Sequence, residues 1–255
     1  MHRRLSLGAL ALTLLLTLGA MASLAPHAEA LMLVSRSQEV AVGRQVEAQI
    51  IKEYGGLSTD RAVTSRVERI GANVAAMSPR QDVTYTYKVL NSDVINAFAA
   101  PGGPVLITKR LAQMLTNDEL AFVLAHETGH IAAQHGREAI NNALLAQGIY
   151  TLFFRRSGDI ARTGISVMYT LYNRGYSRSQ EYQADSYGAQ LMTRAGYNGE
   201  GAITALAKLG MKRTTGVNKY FATHPDVPDR IKRIGAALGI SEQRQQQLIR
   251  QATSG

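Results

Sequence analysis

The 255-residue sequence contains no cysteine. Disulfide cross-links, thiolate metal ligands, a cysteine nucleophile and a lipid-modified cysteine are all excluded by that absence. Tandem repeats with periods of about 20 to 50 residues are missing as well, as are low-complexity tracts, which sets aside solenoids and compositionally disordered chains. Acidic residues are outnumbered, 19 against 28 Lys and Arg, for a formal charge of +9. The basic residues are scattered rather than clustered, which argues against a nucleic-acid partner and is compatible with peripheral association with an anionic membrane surface or simply with solubility. What remains is an ordinary globular balance of 45% hydrophobic and 18% charged residues, enough for one or two domains with a sizeable core.

One long uncharged run, Leu5 to Ala25, follows His2-Arg3-Arg4 and precedes Ala28-Glu29-Ala30. A charged start, an apolar stretch and small residues ahead of Leu31 make an export signal, so residues 1–30 read as a signal peptide and the chain as exported, to the periplasm if the source is bacterial. The run is also long enough to cross a bilayer, which makes an uncleaved anchor the competing reading; its A-x-A ending favours cleavage. Cleavage removes two arginines and one glutamate, taking the formal charge from +9 to +8.

Beyond residue 30 the hydrophobic period is mostly helical. Ser35 to Tyr54, ended by Gly55-Gly56, and a second stretch carrying Val63, Val67, Ile70 and Val74 read as helices. From Asp82 the period becomes two, with Val83, Tyr85, Tyr87 and Val89 on one face of a half-buried strand. Val94 to Ala99 and Val105 to Thr108 are further strand candidates, separated by a turn at Pro101-Gly102-Gly103-Pro104. Helices return at Lys109 to Leu115, Thr116 to Gly136, Ser177 to Gly196, Glu200 to Gly210, Pro228 to Leu238 and Ser241 to Ala252. Residues 137–176, with apolar runs at 143–154 and 165–172, are expected to form either core helices or a mobile lid or membrane-facing flap beside the site.

The chemistry concentrates in Thr116 to Gly136. Thr116 and Glu119 form a capping box, and Gly136 is the expected stop. Inside lies His126-Glu127-Thr128-Gly129-His130, which a sequence of this composition would contain by chance less than about once in a hundred times. Residues four apart return to one side of a helix, so both imidazoles can bind one metal ion and Glu127 can reach a water on it. His135, five residues past His130, falls on another face and is expected to be exposed. Two histidines do not complete a zinc shell. On the helix capped by Ser177 and Gln180, Glu181 is the expected third ligand, and Asp185, one turn on, can accept the remaining N–H of a liganding histidine. His224 and Arg230, in the stretch Thr223 to Arg230, are candidates for stabilising a tetrahedral oxyanion.

HETGH, E-x-x-x-D and H-P-x-x-x-x-R in this order, with Asn96-Ala97-Phe98-Ala99 and Pro101-Gly102-Gly103 upstream, resemble the zinc endopeptidases of the family containing the CAAX prenyl protease, HtpX, BepA and LoiP. The likeness extends over roughly residues 35–238. It implies an α+β, mainly helical, zincin-like metallopeptidase domain over residues 31–255, with a small β-sheet packed beside the HExxH helix. It also implies one zinc ion on His126, His130 and Glu181, general base Glu127, Asp185 behind the ligands, and His224 and Arg230 at the active site, with His224 able to occupy the open zinc position in a resting form. Neither the tetratricopeptide repeats of the BepA type nor the several membrane spans of the HtpX type are expected.

The expected reaction is peptide hydrolysis in misfolded or unassembled envelope proteins, with Glu127 as base and Asn96 to Ala99 holding the substrate as an added strand. The alternative from another class is a periplasmic holdase that uses the same fold with little proteolysis.

Overall fold

Side-chain caps open six helices of the described residues. The computed structural model describes residues 33–146, 157–211, 220, 223–224 and 226–254. The signal segment, residues 1–30, lies outside the described residues, as do residues 147–154 of the first apolar run. Helix α1, Arg36–Glu53, opens on a capping box between Ser35 and Gln38, and α2, Arg61–Ala76, on Asp60, whose carboxylate accepts from the Val63 N–H. Val67, Ile70 and Val74 form the buried stripe of α2. Each such side chain withdrawn from water contributes on the order of 1.5–3 kcal/mol.

Three short strands follow: β1 at Thr86–Leu90, β2 at Ala97–Ala99 and β3 at Pro104–Thr108. The alternating stretch from Asp82 enters the ladder only at Thr86, because its partner begins at Pro104. Strand β3 is central, parallel to β1 and antiparallel to β2, with Phe98 opposite Leu106. Ala100 donates to the Pro104 carbonyl and Thr108 to that of Asn96, so the peptide groups of Ala97 and Ala99 face away from β3, along the outer edge of the sheet.

Helix α3, Lys109–Met114, leads into α4, Asn117–Ala132, whose Thr116–Glu119 capping box is formed as expected. Nearly every residue of α4 from Glu119 to Ile131 is buried, the mark of a helix with neighbours on all sides. Those neighbours are α7, Arg178–Arg194, with α8, Glu200–Met211, and α2. Between them in sequence lie α5, His135–Ala146, and α6, Ser157–Arg174, which runs along α1 and α5. Helices α9, Val227–Ala237, and α10, Glu242–Thr253, close the chain. The latter packs on α8, buries Leu248 and ties Arg244 to Glu200 at 2.7 Å. No helix among the described residues is long and apolar enough to cross a membrane. The molecule is thus mainly helical with one small mixed sheet, the α+β zincin-like class expected.

Other boundaries differ too: the strand expected over Val94 to Ala99 is confined to Ala97–Ala99. Helix α4 ends at Ala132 rather than at Gly136, because Gln134 adopts a left-handed backbone (φ 61°) that breaks α4 and starts α5 at once. Gly136 is the second residue of α5, where a Cβ would meet Pro101 and Met168.

Candidate metal centre

Helix α4 supplies His126, Glu127 and His130, and α7 supplies Glu181 and Asp185. Two glycines set the distance between these helices. A Cβ on Gly129 would stand 2.8 Å from Tyr187 Cβ and 3.0 Å from the Ala184 carbonyl oxygen; one on Gly188 would meet the His126 backbone nitrogen at 3.3 Å. With neither Cβ present, the Glu181 carboxylate spans both imidazoles, Oε1 lying 3.5 Å from His130 Nε2 and Oε2 3.7 Å from His126 Nε2. The two Nε2 atoms are 3.1 Å apart. His224 adds its Nδ1, 3.3 Å from His126 Nε2 and 2.9 Å from Glu181 Oε2. These four residues are buried, and their ligand atoms lie within 4.8 Å of one another.

Behind them is a second polar layer. Asp185 Oδ1 lies 3.0 Å from His126 Nδ1, and Arg230, wholly buried, donates to both Asp185 oxygens at 2.7 and 2.8 Å. The same guanidinium reaches the His224 carbonyl oxygen at 3.1 Å and Glu181 Oε2 at 3.3 Å. Arg230 thus ties together Asp185, Glu181 and the His224 backbone. Its charge is reinforced by Asp185 and Glu181, which outweigh the effect of burial.

The donor set suits a cation. An ionised aspartate only accepts, so His126 gives Nδ1–H to Asp185 and its Nε2 keeps a lone pair. That lone pair faces His130 Nε2 and the Glu181 carboxylate, a convergence of acceptors that a positive ion would stabilise. Burial pushes the His130 imidazole well below its ordinary pKa, which keeps it in the neutral form a metal needs. Burial works against the Glu181 charge, yet His224 and Arg230 hold its carboxyl well below the usual range. Glu127 goes the other way: burial raises its pKa, and its Oε1 has no hydrogen-bond partner among the described residues. His224 Nε2 is 3.7 Å from that oxygen. Burial opposes a charge on His224, but the Glu181 carboxylate pulls its pKa up.

Glu127 and His224 line a small cleft together with Ala97, Phe98 and Ala99 of β2. Asn96 sits at the head of that strand, its side chain accepting from the Ala97 N–H and donating to Tyr54 Oη. The cleft is covered by α6: Tyr172 donates from Oη to the Ala99 carbonyl oxygen at 3.1 Å and packs edge-on against Phe98.

Sequence reasoning missed several aromatic and imidazole groups here. His135, expected to be exposed, is 1% exposed and lies beside His130, because the left-handed Gln134 turns the chain back instead of continuing the helix. Tyr176 stacks on His130 at 4.0 Å, and Tyr220 on His224 at 4.4 Å. Neither tyrosine carries a local signal; their places follow from the packing of distant elements.

The profile of peptidase family M48 matches residues 59–237, a stretch that includes His126, Glu127, His130, Glu181, Asp185, His224 and Arg230. The chain belongs to peptidase family M48. M48 metalloproteases use zinc, and in this M48 chain the buried group of three histidines and one glutamate is able to hold a metal ion. Among its M48 relatives, the mitochondrial metalloendopeptidase OMA1 of Arabidopsis thaliana is 30% identical over 170 residues, covering 66% of this chain and 34% of that protein. The metalloprotease LoiP of Escherichia coli is 28% identical over 152 residues, covering 58% and 60%. The beta-barrel assembly-enhancing protease of the same organism is 25% identical over 187 residues, covering 69% and 38%. The matched region spans between about a third and three fifths of these relatives' own lengths.

Proposed function

We propose that this M48 chain is a zinc-dependent endopeptidase that cleaves unfolded or misassembled exported proteins. The observation that carries the reading is Glu127, a buried carboxylate whose Oε1 has no hydrogen-bond partner among the described residues, placed beside converging metal-type donors and in one cleft with the outer strand β2. Such an orphan costs about 1–3 kcal/mol, a cost that is understandable where the group acts on a substrate or water.

In this reading His126, His130 and Glu181 hold one zinc ion, which when bound supplies Lewis acidity toward water and a scissile carbonyl. Asp185 fixes the orientation of His126 through Nδ1. Glu127 takes the proton from the attacking water and returns it to the leaving amine nitrogen; its upward-shifted pKa makes it a better base than an exposed glutamate. His224, which lines the same cleft as β2, donates to the oxyanion of the tetrahedral intermediate. Arg230 supports these steps from behind, by holding Asp185, Glu181 and the His224 backbone.

The substrate binds as an extra strand along Ala97 to Ala99, through backbone hydrogen bonds that do not depend on its sequence, a mode suited to unfolded clients. Entry requires Tyr172 to release the Ala99 carbonyl, which gives α6 the part of a lid. Export rests on the charged and apolar pattern of residues 1–30, and the basic charge favours peripheral attachment to an anionic surface.

Mass-spectrometric cleavage mapping tests the substrate class. The zinc-loaded protein is expected to cut a reduced, unfolded protein at several internal bonds, to spare its folded form, and to stop on addition of a chelator. Suppression of aggregation with no cleavage of either form would favour the holdase instead.

A further inference from the structure

We infer that His135 is a positioning residue for the metal centre: through one ring-to-ring hydrogen bond it determines which nitrogen of His130 is left free for the ion. The inference rests on the reading that His126, His130 and Glu181 hold zinc. His135 Nδ1 lies 2.9 Å from His130 Nδ1, and His135 Nε2 lies 2.9 Å from Gln183 Oε1. A carboxamide oxygen only accepts, so the hydrogen on that side belongs to His135 Nε2. A neutral imidazole carries one N–H, and His135 Nδ1 is therefore an acceptor. The hydrogen between the rings must come from His130 Nδ1. His130 Nε2 is then a bare lone pair, and it is this atom that faces His126 Nε2 and Glu181.

The two histidines of the HExxH motif thus reach the same state by different routes. His126 is set by a carboxylate, Asp185. His130 is set by an amide oxygen on α7, relayed through a second imidazole. Tyr176 stacks on the face of the His130 ring at 4.0 Å and so helps hold its plane. A continuous helix could not build this. Residue 135 would lie about 140° round from residue 130 and more than a turn away. The left-handed Gln134 brings it back, and Arg137 holds that residue by donating to Gln134 Oε1 at 2.7 Å. The opposite orientation of the Gln183 amide would reverse the chain, place a hydrogen on His130 Nε2 and close the ligand position.

Two measurements on the full chain test the assignment. Long-range proton–nitrogen correlation spectra of the ¹⁵N-labelled, metal-free protein read which ring nitrogen bears hydrogen. Expected are Nδ1–H on His130 and Nε2–H on His135 before zinc is added; Nε2–H on His130 or Nδ1–H on His135 would overturn the inference, whatever any variant does. Zinc affinity is then measured by competition with a chromophoric chelator. His135→Phe, which keeps the ring volume but accepts nothing, should lose about 10–100-fold. His135→Asn, which offers an amide oxygen, should recover most of that loss. Wild-type affinity in His135→Phe, or no recovery in His135→Asn, would show that His135 only fills space. A wild-type protein that binds no zinc would instead bring down the metal-centre reading, an outcome the same titration distinguishes.

Discussion

Gly129 of the HExxH helix lies so close to Ala184 of α7 that a Cβ on it would stand 3.0 Å from the Ala184 carbonyl oxygen. That approach explains why a residue that weakens a helix interior sits inside the motif. Gly129→Ala would gain about 1 kcal/mol of helix propensity, but the methyl meets backbone and the helices must part, a cost on the order of 1–3 kcal/mol. The variant is expected to be less stable in urea and to bind zinc more weakly, because Glu181 and Asp185 retreat with α7. A more stable variant with unchanged zinc affinity would show that the spacing of these helices is not critical.

Asp185 links stability to pH. Burial opposes its charge, but Arg230 and His126 hold the carboxyl at about 2. The folded value lies below the ordinary one near 3.8, so the ionised carboxylate contributes stability that is fully present above about pH 4 and is lost as pH falls toward 2. Asp185→Asn leaves Arg230 buried without its main counter-ion and is expected to cost about 3–5 kcal/mol near neutral pH. Denaturant unfolding of the metal-free proteins should show that gap narrowing between about pH 4 and pH 2. A gap that stays constant would contradict the assigned partnership.

Tyr172 covers the strand edge proposed for substrate. Tyr172→Phe removes the hydroxyl that donates to the Ala99 carbonyl while keeping the ring against Phe98. One such bond is worth about 1 kcal/mol, so kcat/KM on an unfolded substrate should rise up to about fivefold. A fall in kcat/KM would mean that the hydroxyl serves the substrate rather than excluding it.

The local parts of this architecture were readable from residues close together in the chain. The capping boxes at Thr116 and Ser177 need only residues three apart, and the His126–His130 and Glu181–Asp185 pairs only helical spacing. Strand β1 is shorter than the period-two stretch from Asp82 because its extent is set by a partner nearly twenty residues away. The place of His135 is not legible in the sequence because it depends on a positive φ at a glutamine, a conformation no side-chain pattern announces. Tyr172, Tyr176 and Tyr220 reach the site from elements whose placement depends on the whole core.

Glu127 is the residue on which the proposed chemistry turns. Glu127→Gln keeps the size of the side chain and leaves His126, His130 and Glu181 intact, but it removes the base. Zinc content by elemental mass spectrometry, with cleavage mapping on one unfolded protein, should be measured on wild type and variant together. Expected are one zinc per chain in both proteins and a loss of cleavage in the variant of at least about a hundredfold. Undiminished cleavage by Glu127→Gln, or wild-type cleavage with no metal bound, would contradict the assignment.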